Sequence, residues 1–233
     1  MKNYQSNHVT KHPSLWEGLG GLFAFLLPLL FTACSESASD DDEYANWQAR
    51  NDQYFASLQD SLTRGGASWT RLKKYSLDPS TEGQQTDYVY VHKIEEGSVV
   101  LDSSDGTQLS STSSPLSTPM FTDSVRVSYQ GRLIPTTTHP EGYVFDGTVF
   151  GKYSIGTTST AKFLASALVD GFTTALLHMH RGDRWRVYIP YQLGYNATVQ
   201  TGVPAYSTLI FDITLIDFSH AGEVMPVWKA RLK

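Results

Sequence analysis

The stretch from Leu168 to Phe218 decides the fold of this chain. It reads LVDGFTTALLHMHRGDRWRVYIPYQLGY, then a loop, then STLIFDITLIDF. A short helix is predicted first, because Phe172, Leu176 and Met179 recur at helical spacing. Two strands follow, each with a core face and a water face. The core faces are Trp185, Val187 and Ile189 in the first strand, and Phe211, Ile213 and Leu215 in the second, where Asp212 and Thr214 are expected to face water.

Motifs upstream add to this pattern. Val125, Val127 and Tyr129 alternate with polar residues before Gly131, and the run FDGTVF begins at Phe145. Together with the stretch above, these motifs resemble the FKBP-type peptidyl-prolyl cis/trans isomerases over residues 86–219, a match of several motifs in the right order. The resemblance implies an α+β fold, with an FKBP-like antiparallel half-barrel sheet wrapped around one short helix.

The same resemblance implies a site and its chemistry. Asp146 is expected as the polar rim group and Tyr195 as the hydroxyl donor to the substrate carbonyl, and these two form the catalytic pair. Proline-containing polypeptides are the implied substrates, and no cofactor is implied. The implied substrate-binding residues are Tyr129, Phe145, Leu168, Val169, Phe172, Val203 and Phe211. The alternative is that these aromatic rings only form the core of the fold, above all Tyr129 and Phe211.

Three positions depart from the family pattern. Phe172 stands where the family commonly has Trp, Ala161 falls near a usual wall aromatic, and Asn196 replaces the Gly after Tyr195. Two functions therefore stay open. One is a prolyl isomerase that assists folding of exported proteins, and the other is a catalytically impaired FKBP-like peptide-binding or chaperone module. Macrolide binding is less expected than peptide binding.

The N-terminus indicates export. Residues 18–33 are uncharged and largely apolar, and they precede Cys34, the only cysteine. Residues 1–33 are thus predicted to be a signal peptide, which is favoured over a transmembrane helix because the run is short. The motif FTAC resembles a bacterial lipobox, so Cys34 is expected to carry a lipid; a buried thiol is the alternative.

The segment after Cys34 is acidic and lacks basic residues. Residues 34–43 are predicted to be a solvated tether, and they also resemble the surface-export signal of Bacteroidetes-type lipoproteins. The expected location is the bacterial cell envelope, with the lipid in the outer membrane and the domain either periplasmic or on the surface.

Composition limits the possible partners. With 18 basic and 23 acidic residues, the basic ones scattered, the chain is not expected to bind nucleic acid. His178 and His180 form an H-x-H pair, but no third ligand stands at a telling spacing, so no metal site is predicted.

The remaining regions flank or interrupt the isomerase-like domain. Residues 44–85 are predicted to form an amphipathic helix followed by a linker, and residues 220–233 a C-terminal extension. Residues 103–119 and 135–143 are predicted to be insertion loops. Residues 88–94 and 99–101 have strand-like patterns.

Overall fold

A computed structural model of the chain describes residues 43–95, 117–154 and 158–225. Several predictions concern residues outside these ranges. They are the signal-like run 18–33, Cys34, nearly all of the acidic tether, the possible strand 99–101, most of the 103–119 insertion, and the end of the C-terminal extension.

Seven strands form one antiparallel sheet in the described part of the chain. Their order is β1-β2-β6-β7-β3-β4, and β5 also pairs with β3. Two α-helices pack on this sheet, so the predicted α+β fold is confirmed. The strands are β1 (Trp69–Lys73), β2 (Tyr88–Glu95), β3 (Ser124–Arg132), β4 (Val144–Gly147), β5 (Ala161–Leu164), β6 (Arg184–Ile189) and β7 (Leu209–Ser219); the helices are α1 (Trp47–Arg64) and α2 (Asp170–Leu176).

The short helix α2 is buried against the inner face of the sheet. Every residue from Gly171 to Leu176 is buried, so the helix has no water-facing side. Gly171 permits this close packing, because a methyl group in its place would lie 2.3 Å from Cγ2 of Ile189 on β6. The predicted helix is therefore present, and a glycine sets its distance from the sheet.

Helix α1 covers the outer face of the sheet, and the predicted amphipathic helix is confirmed. Its buried residues are Trp47, Asn51, Phe55 and Leu58, and Gly65 follows its last turn. The Phe55 ring meets the Tyr90 ring of β2 edge to face at 5.0 Å. Burying one such side chain contributes roughly 1.5–3 kcal/mol, so α1 is an integral layer of this domain.

Strand β1 was not predicted. It lies in the segment that the sequence assigned to a linker, and it pairs with β2 from Trp69 to Lys73 at the edge of the sheet. Its five residues carry two positive charges, which weakens the alternating pattern that identifies longer strands.

The prediction for one face of β7 was also wrong. Thr214 is 2% exposed, although it was expected to face water. Its register partner on β3 is Ser128, whose hydroxyl lies 2.8 Å from that of Thr158. The chain that follows β4 therefore crosses this face and covers it.

Within the described ranges, neither helix has the length and apolar character required to cross a membrane.

Candidate active site

Four aromatic rings from four different elements meet on the inner face of the sheet. Tyr129 comes from β3, Phe145 from β4, Phe172 from α2 and Phe211 from β7. The Phe172 ring lies 5.0 Å from Phe211 and 6.0 Å from Tyr129, and Phe145 lies 5.5 Å from Phe211, all in edge-to-face geometry. This arrangement is favourable for aromatic pairs. We call these four residues the aromatic pocket.

Gly131 makes room for two of these rings. A methyl group at this position would lie 2.5 Å from Cε1 of Phe211 and 2.7 Å from Cζ of Phe145. A side chain here would thus displace both walls of the pocket. Gly131 is part of the sequence motif, but no role in the site was predicted for it. Because it lies two residues after Tyr129 on β3, it shares a face of the sheet with that ring, and this spacing could have indicated its role.

Asp146 lies at the rim of the pocket and is held by two hydrogen bonds. The Tyr129 hydroxyl donates to Oδ2 over 2.9 Å, and the backbone N–H of Gly147 donates to Oδ1 over 2.8 Å. The Asp146 side chain is nevertheless exposed. Burial and then the bond to Asp146 raise the pKa of Tyr129, so its hydroxyl stays protonated and continues to donate.

Tyr195 is half-buried against the core. Burial, and then the negative charge of Asp146, raise the pKa of the Tyr195 hydroxyl, which places it within electrostatic reach of that carboxylate. Among the described residues no hydrogen bond engages this hydroxyl. It is therefore a neutral donor available to an incoming group.

The residue after Tyr195 explains how the loop tolerates a change from the family pattern. Asn196 has a φ of 54°, in the left-handed region where glycine is favoured and asparagine is among the better-tolerated residues. Its backbone also accepts a hydrogen bond from the N–H of Tyr206 over 2.8 Å. The Asn196 substitution thus preserves the loop that carries Tyr195.

The remaining predicted substrate-binding residues lie on two neighbouring segments. Leu168 and Val169 are half-buried at the entrance to α2 and pack on the core. Val203 is buried in the loop after Tyr195. The structure therefore brings the four rings and Asp146 into contact, whereas substrate contact by Leu168, Val169 and Val203 stays a prediction.

Ala161 lies near an aromatic residue that was not predicted to belong to the site. Ala161 is half-buried on β5, and Phe163 follows two residues later on the same strand. The Phe163 ring meets the Tyr129 ring edge to face at 5.8 Å. Sequence reasoning did not assign Phe163 to the site, although its alternation with Ala161 places both on one face.

The two histidines of the H-x-H pair have other partners. His178 Nδ1 lies 2.8 Å from the carbonyl oxygen of Thr174, and His180 Nδ1 lies 3.4 Å from Oδ2 of Asp183. Across the described ranges no three metal-ligating side chains group together.

A family model described as FKBP-type peptidyl-prolyl cis-trans isomerase matches residues 117–216. This span contains β3 through most of β7 and all four rings of the aromatic pocket. In this region the chain is therefore similar to FKBP-type peptidyl-prolyl isomerases. Helix α1, β1 and β2 precede the matched span, and β1 and β2 belong to the same sheet as the matched strands.

Curated relatives support the same assignment. The chain is 38% identical over 106 residues to the macrophage infectivity potentiator of Trypanosoma cruzi, covering 45% of this chain and 48% of that protein. It is 34% identical over 100 residues to the FKBP-type 22 kDa peptidyl-prolyl cis-trans isomerase of Escherichia coli, covering 42% and 43%. The matched part of the chain thus spans less than half the length of either relative.

Solved structures give a weaker likeness. A peptidyl-prolyl cis-trans isomerase from Pseudomonas syringae aligns with a TM-score of 0.49 and 19% identity, covering 76% of this chain and 96% of that structure.

Proposed function

We propose that this chain is a peptidyl-prolyl cis/trans isomerase that acts on proline-containing polypeptides. The observation that supports it most is the aromatic pocket, with the Asp146 carboxylate and the Tyr195 hydroxyl at its rim. Asp146 is oriented by Tyr129, and the Tyr195 hydroxyl is protonated and available. The family match supports the same activity.

The reaction requires no covalent chemistry. Rotation about an Xaa-Pro bond has a barrier of about 20 kcal/mol and takes tens of seconds without a catalyst. The planar imide is more polar than the twisted form, because resonance places charge on its oxygen. An apolar pocket that excludes water therefore disfavours the planar form, and fixed polar groups then stabilise the twisted one.

Each rim group has a distinct part in this mechanism. The Tyr195 hydroxyl donates to the carbonyl of the twisted bond. Asp146 places its carboxylate at the mouth of the pocket, where Tyr129 and the backbone of Gly147 hold it in position. Phe172 forms the floor, since it is 3% exposed and contacts two other rings of the pocket.

The activity is tested in a proline-limited refolding assay. The protein is expected to accelerate the slow phase, and Asp146→Ala is expected to reduce the acceleration by about tenfold to a hundredfold if the carboxylate acts on the transition state. Asp52→Ala is the matched control, because Asp52 is an exposed carboxylate on α1, which packs on the other face of the sheet. A folded wild-type protein without any acceleration would contradict the proposal.

The second candidate is a catalytically impaired FKBP-like module that binds peptides or acts as a chaperone. Two observations favour it: Phe172 provides a smaller floor than Trp, and Ala161 removes one wall ring. Binding of proline peptides by a protein that accelerates no refolding would select this candidate. Macrolide binding depends on the same floor and is expected to be weak in either case.

We also propose that the protein is exported and anchored by a lipid on Cys34 in the outer membrane of a bacterial envelope, where it assists folding of exported proteins. The support is the apolar run 18–33 that ends at the only cysteine, and the acidic segment that follows. Metabolic labelling with a fatty-acid analogue is expected to modify the wild type and spare Cys34→Ser. Absence of label from the wild type would refute the anchor without affecting the isomerase proposal.

A further inference from the structure

A groove of about 550 Å3 lies beside the aromatic pocket. Its walls come from three segments that are distant in sequence: the residues before α1, the 135–143 insertion, and the loop after Tyr195. We call it the side groove. The residues that line it are Glu43, Tyr44, His139, Tyr143, Val199 and Val203, with their neighbours in the last loop.

The side groove is held together by specific contacts. The Glu43 carboxylate accepts a hydrogen bond from the Thr136 hydroxyl and lies 2.9 Å from Nδ1 of His139. These bonds, the Thr136 bond first, lower the pKa of Glu43, so the carboxylate stays ionised. The His139 ring meets the Tyr143 ring edge to face at 5.3 Å. Segments before α1 and within the insertion are thereby joined into one wall.

The side groove lies close to the aromatic pocket at Gly202. Val203, a predicted substrate contact, also lines the groove. A methyl group on Gly202 would lie 3.2 Å from Cε1 of Tyr143 in the groove and 3.7 Å from Cβ of Phe145 in the pocket. Gly202 therefore lies between Tyr143 of the groove and Phe145 of the pocket, close to both.

The groove also exposes apolar surface. Val199 is 69% exposed and Tyr143 is 37% exposed. Exposed apolar side chains that line a concave surface next to a binding pocket are typical of ligand-binding sites. The Glu43 carboxylate at the far end is already engaged, because it accepts a hydrogen bond from Thr136 and lies 2.9 Å from Nδ1 of His139. The groove therefore suits an apolar group better than a charged one.

We infer that the side groove binds a second segment of the same substrate polypeptide, and that it prefers a large apolar side chain two or more residues away from the proline. This inference rests on the proposed function, since the proline is taken to occupy the aromatic pocket. The 135–143 insertion and the residues just before α1 would then take part in substrate selection.

The test compares two fluorescent proline peptides that differ only two to four residues from the proline, where one carries Phe and the other Ser. Binding is measured by anisotropy with the full chain in lipid nanodiscs, and empty nanodiscs give the background. The wild type is expected to bind the Phe peptide about tenfold more tightly, the effect of burying one large apolar side chain.

Two matched variants then locate the effect. Val199→Ser is expected to bring the ratio of the two affinities down to about threefold or less, because it removes apolar surface from the groove. Val224→Ser is the control, since Val224 is 92% exposed and does not line the groove, and it is expected to keep the wild-type ratio. Thermal melts confirm that both variants are folded.

The outcomes separate the two proposals. Equal affinities for both peptides in the wild type would overturn the groove inference. An equal drop in the affinity ratio for Val199→Ser and Val224→Ser would overturn it as well. Isomerisation of the Ser peptide, measured by exchange NMR, reports on the proposed function alone. A preference for the Phe peptide that depends on Val199, without any isomerisation, would support the groove and reject the enzyme.

Discussion

Two aromatic clusters lie on opposite faces of the same sheet, and only one of them has the features of a site. The inner one is the aromatic pocket around Phe172. The outer one joins α1 to β1, β2 and β6, with Tyr54 and Tyr188 at 6.5 Å, Trp69 and Tyr188 stacked at 5.6 Å, and Phe55 and Tyr90 at 5.0 Å. Neighbouring residues of β6, Val187 and Tyr188, belong to different faces because side chains alternate along a strand.

The clusters differ in what covers them. The 18-residue helix α1 covers the outer rings. The Tyr90 hydroxyl donates a hydrogen bond to Gln59 of this helix over 2.9 Å. Burial, and to a lesser extent the neighbouring Tyr188, raises the pKa of Tyr54 to about 12. The seven-residue helix α2 leaves the rim of the inner cluster open, so that Asp146 and Tyr195 reach solvent. Aromatic content therefore does not distinguish a site here, whereas uncovered polar groups at the rim do.

The largest expected effect is on stability and concerns the outer cluster. Phe55→Ala removes a ring that is 4% exposed, and we expect it to lower the free energy of unfolding by about 3–5 kcal/mol, or the melting temperature by roughly 10 °C. Phe150→Ala, at a ring that is 78% exposed, is the control and should have little effect. If Phe55→Ala also reduced the isomerase activity of each folded molecule, the outer cluster would contribute to catalysis and the two clusters would not be functionally separate.

The second expected effect is on catalysis and concerns the inner cluster. Tyr195→Phe removes the available hydroxyl, and we expect kcat/KM on an Xaa-Pro peptide to fall about tenfold or more. Tyr54→Phe removes a hydroxyl that is also half-buried, but in the outer cluster, and it should leave the rate unchanged. Equal rates for the two variants would remove the functional distinction between the clusters.

A third prediction concerns the link between the two regions. Asn51 on α1 is fully buried; its Oδ1 accepts from the N–H of Thr208 over 2.7 Å, and its amide donates to the carbonyl of Trp47 over 2.7 Å. Asn51→Ala leaves the Thr208 N–H without a partner, and we expect a loss of about 1–3 kcal/mol in unfolding free energy.

The same variant is expected to raise KM, because Thr208 follows the loop that carries Val203. Gln48→Ala is the control: Gln48 is exposed on the same helix, and its side chain donates to the Tyr191 hydroxyl over 3.3 Å. An unchanged melting temperature and KM in Asn51→Ala would show that α1 does not position this loop.

The smallest expected effect concerns pH and the side groove. The pKa of Glu43 is lowered by its hydrogen bonds from Thr136 and His139. A lowered carboxylate pKa adds stability above the ordinary pKa, and that stability is lost as the pH falls through the lowered value. Glu43→Gln should therefore reduce the melting temperature by about 1–3 °C at pH 7, with a difference that disappears well below about pH 4.

Glu141→Gln is the control for this pH series. Glu141 lies in the 135–143 insertion, as Thr136 and His139 do, and this variant should melt like the wild type at every pH. If the difference in melting temperature between Glu43→Gln and the wild type stayed constant down to pH 3, the packing of the Glu43 side chain, and not its charge, would stabilise the groove wall.

The sequence predicted local elements better than the contacts between distant segments. The periodicity of α1 and α2 and the alternation in β2 and β6 were strong local signals. By contrast, the burial of Thr214 depends on Thr158, which covers β3 and β7 from elsewhere in the chain. Strand β1 was missed because its five residues are short and polar, and its pairing with β2 is what stabilises it.

The candidate site shows the same division. The family resemblance indicated which rings surround α2, and the structure places them in contact. The space that Gly131 leaves for Phe211 and Phe145 was not apparent, because it depends on ring positions from two other strands. The side groove was not predicted either, since Glu43, His139 and Val199 meet only through tertiary folding.

The position of β7 has a consequence for how the chain acquires its structure. It is the last strand of the described chain, yet it lies between β6 and β3 in the middle of the sheet. A growing polypeptide that ends before Leu209 lacks the strand that joins these two, and pairings between distant segments form slowly because of their loop-closure entropy. At synthesis rates of about 5–20 residues per second, the sheet of a nascent chain stays incomplete until Leu209–Ser219 has been made, and cooperative folding of the sheet begins only after that.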